Sequence, residues 1–75
     1  MKKTDIKINK KYTDNKGNVR EVIGVGTDFK LYNSQQNDDC VRYRVVAKKK
    51  GPHMVGDCCN STRISFANWA KCEVA

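Results

Sequence analysis

The chain has a single proline, a single histidine and no fully apolar run longer than three residues. A membrane-spanning helix needs about 20 consecutive apolar residues, so no span is expected. Met1-Lys2-Lys3 is basic, as a secretory signal begins, but Thr4-Asp5-Ile6-Lys7-Ile8-Asn9 supplies no apolar segment. A cytoplasmic location is therefore expected. Five glycines and one proline exclude collagen-like and low-complexity classes. No window sustains a 3.6-residue hydrophobic period for as long as ten residues, which argues against a helix-rich fold. Gly24-Val25-Gly26 lacks the third glycine and the following long helix of a dinucleotide loop. The lone His53 sits in a Gly-Pro turn, and Asp38-Asp39 reads as a solvated loop end rather than a paired acid and base. No enzyme and no cofactor are expected from such a set.

What is present is short and basic. With 75 residues and 8.5 kDa the chain makes one small domain. A domain of this size buries only roughly 60% of the surface its unfolded form exposes, too little for a full core and a deep cavity together. Fifteen Lys and Arg against eight Asp and Glu give a net charge of +7, which favours polyanionic partners. The excess is uneven: residues 41–50 hold Arg42, Arg44, Lys48, Lys49 and Lys50 with no acid. Surplus lysine also serves solubility, but arginine at 20, 42, 44 and 63 favours a site for phosphates, because the guanidinium fork matches phosphate oxygens.

Cys40, Cys58, Cys59 and Cys72 are many for so short a chain. In a reducing compartment they are expected to stay thiols and to act mostly as small buried hydrophobes. Cys58-Cys59 is a vicinal pair, without the spacing that wraps a metal. On a strand its side chains point to opposite faces. No zinc site is expected.

Residues 1–9 lack a period and are expected to form a flexible N-terminal arm, with 10–75 the single domain. Residues 10–13 and 19–27 flank the turn signal Thr13-Asp14-Asn15-Lys16-Gly17-Asn18 and predict a hairpin. The apolar positions Val19, Val22, Ile23 and Val25 do not alternate cleanly, and Gly24 and Gly26 point to a bulge or sharp bend. The clearest strand places Val41, Tyr43, Val45 and Ala47 on one face and Arg42, Arg44 and Val46 on the other. A basic turn follows, then a returning strand expected over 54–59. Ser65 is the expected N-cap of one helical turn that puts Phe66 and Trp69 on one side, and Cys72-Glu73-Val74 is a short closing strand. The expected fold is all-β: a small Src-homology-3-like half-open barrel of about five short strands with one helical turn before the last. A five-stranded oligonucleotide-binding barrel is the alternative.

On this frame Arg42 and Arg44 stand side by side on a solvent face, with Lys48, Lys49 and Lys50 at the adjoining turn. Arg63 and Arg20 are further candidates for the same anion. Tyr32, Tyr12 and Trp69 are candidate stacking platforms for bases. Trp69 equally suits the core with Phe66 and Tyr43, since a small barrel has few large residues.

The turn glycine and arginine of Gly17-Asn18-Val19-Arg20, the strand Val41-Arg42-Tyr43 and the closing Phe66-Ala67-Asn68-Trp69-Ala70 together resemble small phage- and prophage-encoded β-barrel accessory proteins. The likeness extends over most of 10–74 and rests on short motifs. It implies an accessory phage product, of a kind that often counters host defences or binds nucleic acid. Three partners fit. One is a compact anionic nucleotide, for which so small a chain would need a pocket between subunits of a homo-oligomer. The second is DNA or RNA, bound through its backbone. The third is an acidic host defence protein, approached by electrostatic steering.

Overall fold

The computed structural model describes residues 1–26, 39–49 and 54–74. Its elements are a 3₁₀ turn at Lys3–Asp5, strands β1 (Lys11–Thr13), β2 (Val19–Gly26), β3 (Cys40–Ala47) and β4 (Cys58–Thr62), helix α1 (Arg63–Trp69), and strand β5 (Cys72–Val74). The strands form one antiparallel sheet in the order β4-β3-β2-β1-β5. β1 to β4 follow one another as a meander, and the chain then crosses by way of α1 to lay β5 beside β1. The sheet is not closed, and the result is the small all-β half-open fold expected from the sequence, with its helix before the last strand.

The uneven apolar pattern of β2 has a direct cause. Val22 opposes Tyr43 and Gly24 opposes Arg42, so Ile23 is an extra residue in the ladder. That bulge resets the alternation. Val22 and Val25, three apart, thus both reach the core, while Ile23 is 37% exposed. Gly26 ends the strand at φ +127°, a conformation side chains rarely adopt.

The core gathers Ile6, Tyr12, Val22, Val41, Tyr43, Val45, Phe66, Ala67 and Ala70. Phe66 is its hub, with ring centroids 5.7 Å from Tyr12, 5.5 Å from Tyr43 and 5.3 Å from Trp69. The segment expected as an arm contributes Ile6, which is fully buried. The Tyr12 hydroxyl donates to the Asp5 carbonyl at 2.9 Å and accepts the Lys7 amide at 2.8 Å, so the segment is bonded to β1.

Two boundaries differ from the sequence reading. The helix spans seven residues rather than one turn, and its N-cap is Thr62, whose hydroxyl accepts the Ser65 amide at 3.2 Å. The returning strand begins at Cys58, not at 54. Met54 and Val55 lie in a turn instead, closed by the Asp57 carboxylate accepting the Met54 amide at 2.9 Å and by Gly56 at φ +96°. Cys58 and Cys59 do point to opposite faces: Cys58 is exposed and Cys59 packs against the core. The expectation of buried thiols holds for Cys40 and fails for Cys58 and Cys72, because the start of an edge strand leaves them outside the packing.

Burial raises the Tyr12 and Tyr43 phenols above their ordinary value of about 10; the nearby Arg20 cation opposes the rise at Tyr43. The fold keeps these phenols protonated, whereas the unfolded chain ionises them near pH 10. Their stabilising contribution is full below about pH 10 and is lost as pH rises through the folded values. Tyr12 and Tyr43 are therefore expected to ionise together with unfolding, followed by phenolate absorbance against Trp69 emission. Ionisation of all three tyrosines near pH 10 with native emission intact would contradict this.

Candidate anion-binding surface

The β1–β2 turn is built around one carboxylate. Asp14 accepts the Lys16 amide at 2.9 Å and the Asn18 side-chain amide at 2.9 Å. The Asn18 side-chain bond, reinforced by backbone amides, holds its carboxyl below the usual range. Asn15 at φ 65° and Gly17 at φ +89° complete the reversal. Gly17 is also a close-approach position, since a Cβ there would meet the Lys49 side chain at 3.1 Å. The Lys49 amide in turn donates to Asn18 Oδ1 at 2.9 Å. The turn and the end of β3 are thereby clasped, and Asn15, Lys16, Gly17, Asn18 and Lys49 line an open hollow of about 550 Å³.

Register shows what else lies at this end of the sheet. Thr13 opposes both Val19 and Cys72, and Val19 opposes Ala47. The Lys71 amide donates to the Thr13 carbonyl at 2.8 Å. Lys16, Lys48, Lys49 and Lys71 thus flank one end of the sheet, with Asp14, Asp57 and Glu73 the acids among the described residues there. Lys3 stands at the opposite end beside Asp39, Thr62 and Ile64, and Lys10 and Lys11 lie at mid-sheet, level with Glu21 and Val22.

Every candidate arginine has a partner within the fold. Arg42 donates to Asn60 Oδ1 at 3.0 Å, and Arg44 pairs with Glu21, its neighbour across the β2–β3 ladder. Arg63 donates to the Ile6 carbonyl at 3.2 Å and places Nε 3.0 Å from the Asp39 carboxylate, off the hydrogen-bond direction. Arg20 lies over two rings, 4.7 Å from the Tyr43 centroid and 4.0 Å from that of Trp69. Arg42 and Arg44 do share the solvent face of β3. Arg63 is not with them: it pins the start of α1 to the start of β3, at the end away from Lys49.

The aromatic candidates separate as well. Tyr12 is wholly buried with its hydroxyl bonded, so it is a core residue with no face for a base. Trp69 is half-buried between Phe66 and Arg20. Tyr32, Lys50 and His53 lie outside the described residues. The sequence reading missed Lys16 and Lys71 as members of the basic end. The run Lys48, Lys49 and Lys50 was visible as a cluster, whereas Lys16 and Lys71 join it only through pairing of distant strands.

The Arg44–Glu21 pair is partly in water, with the arginine side chain 51% and the glutamate side chain 21% exposed. Exposed pairs contribute about 0–1 kcal/mol. Arg44→Ala is therefore expected to shift the denaturant midpoint by less than ~1 kcal/mol in stability, and a loss above ~2 kcal/mol would show a structural role.

No protein-family model matches the chain, and no curated protein and no solved structure shows significant similarity to it. Among the described residues no helix is long and apolar enough to cross a membrane, and no three His, Cys, Asp or Glu side chains gather to hold a metal.

Proposed function

We propose that this chain is a non-enzymatic binding module for an anionic, nucleotide-containing partner, and that DNA or RNA suits it better than a compact nucleotide. The observation that carries the reading is the division of labour among the cations. Arg42, Arg44 and Arg63 are held by polar partners within the fold and Arg20 lies over two rings, so most of the positive surplus rests on the eleven lysines. Lysine is a hydrated point charge suited to a phosphate backbone, whereas a clasped compact anion calls for guanidinium forks. The described lysines are spread from the basic end through mid-sheet to Lys3 at the far end, and the hollow at Lys16 and Lys49 is open. Both features favour an extended polyanion.

The likeness to phage accessory proteins gives this module a setting: a cytoplasmic product of a phage or prophage, acting against a host defence by holding nucleic acid or a nucleotide. A mobility-shift titration with an unstructured oligonucleotide at two salt concentrations tests the binding. The expected result is a shift at low salt that weakens steeply as salt rises. Absence of a shift even at low salt discards the nucleic-acid reading. Light scattering on the same sample addresses the compact-nucleotide alternative, which requires an oligomer.

A further inference from the structure

We infer that Arg20, held over the rings of Trp69 and Tyr43, is a receptor for a phosphate monoester: the free phosphate of a nucleotide or the terminal phosphate of a strand. The inference deepens the function proposed above and adds to it a site and a chemical group.

Arg20 opposes Tyr12 on β1 and Val45 on β3, both buried, so its side chain rises from the core side of the sheet. A cation in such a place normally has a carboxylate beside it. Here the attraction comes from ring faces, with the guanidinium carbon 4.0 Å and 4.7 Å from the two centroids. Arg42 and Arg63 donate hydrogen bonds to protein oxygens and Arg44 pairs with Glu21. Arg20 has neither a hydrogen bond nor an ion pair among the described residues. Its nitrogens are also not sealed from water, since Arg63 Nε is the sole side-chain nitrogen or oxygen among the described residues that is both fully buried and unbonded. The rings therefore hold the group in place, and its nitrogens keep some contact with water.

An arginine with that geometry has less freedom to lose on binding, and its fork presents parallel N–H groups to two oxygens of one anion. Phosphate is favoured over carboxylate by charge. A phosphate monoester carries about −1.5 to −2 at pH 7, and Arg20 is the second residue of β2, two positions after Asn18, toward the end of the sheet that Lys16, Lys48, Lys49 and Lys71 flank. A backbone diester, with one charge and two esterified oxygens, takes less from the same lysines.

Trp69 is the one tryptophan of the chain and touches the receptor, so its emission reports occupancy. The native protein is titrated at constant ionic strength with inorganic phosphate, adenosine 5′-monophosphate, adenosine and acetate. Saturable changes are expected with the first two and none with adenosine. Arg20→Lys and Arg20→Gln are each expected to weaken the phosphate response at least tenfold. Phosphorus resonance broadening on the native protein supplies the same reading without a variant, should either substitution fail to fold. No saturable response to phosphate, an equal response in a folded Arg20→Gln protein, or acetate binding as tightly as phosphate would each overturn the inference. Oligonucleotides with a 5′-phosphate or a 5′-hydroxyl separate the two proposals. Equal shifts for both, with no phosphate response, leave the binding function standing and remove the receptor. A phosphate response without any oligonucleotide shift does the reverse, and points to a free nucleotide as the source.

Discussion

Phe66→Ala is expected to lower the melting temperature by at least ~12 °C and to leave a substantial unfolded population at 37 °C. Phe66 is 1% exposed and its ring meets Tyr12 of β1, Tyr43 of β3 and Trp69 of its own helix. Truncating a buried phenylalanine costs about 3–5 kcal/mol. A domain of 75 residues holds only about 4–11 kcal/mol in total, at roughly 0.05–0.15 kcal/mol per residue. Each kcal/mol moves the melting point of so small a domain by about 4–8 °C. Ile64, two positions earlier on the same helix, is 60% exposed, and Ile64→Ala is expected to stay within about 0.5 kcal/mol of the native protein. Thermal denaturation followed by far-ultraviolet circular dichroism measures both. A Phe66→Ala protein that melts within ~4 °C of the native one would show that α1 is not the lid of the core.

The contrast between Ile64 and Phe66 illustrates what a linear pattern can and cannot reveal. Phe66 and Trp69 at helical spacing were readable as one face of a turn. The helix start was less so, because Thr62 and Ser65, three apart, both have the chemistry of a cap, and only the chain direction after β4 decides between them. β3 was the most legible element, since Val41, Tyr43 and Val45 alternate with Arg42 and Arg44 without interruption. In β2 the glycines announced a bulge, but its place at Ile23 follows from pairing with Tyr43 and Arg42, which no local pattern contains. Met54 and Val55 mimicked a strand by being apolar, yet both stand in an exposed turn. The candidate site was legible as a surplus of charge and not as an arrangement. Net charge raises the expectation of an anion, but the partners of Arg44, Arg63 and Arg42 are Glu21, Asp39 and Asn60, each distant in sequence from the cation it holds. Register brings them together, and register also gathers Lys16 and Lys71 to the end where Lys48 and Lys49 already were.

That gathering makes the strongest functional prediction. Replacing Lys16, Lys48 and Lys49 together by alanine is expected to weaken oligonucleotide binding by roughly 10²–10³ at ~0.1 M salt and to lower the slope of log K against log salt by about 2–3. The estimate follows from counterion release. Each lysine that neutralises a phosphate contributes about 0.7–0.9 to that slope, so each is worth nearly tenfold in affinity one decade of salt below 1 M. At positions 16 and 49 the fold should not suffer, and because Lys48 is half-buried the triple variant is checked for native far-ultraviolet circular dichroism first. Lys16 and Lys49 are exposed, alanine at 49 retains the Cβ that covers Gly17, and the bond from the Lys49 amide to Asn18 is made by backbone. Comparison with Arg42→Ala combined with Arg44→Ala locates the contact. Those arginines already hold Asn60 and Glu21, so the pair is expected to move the slope by less than half as much as the lysines. An arginine effect equal to the lysine effect would shift the contact from the barrel end to the strand face. A lysine triple variant with native affinity and native salt slope would mean that the end of the barrel touches no phosphate at all.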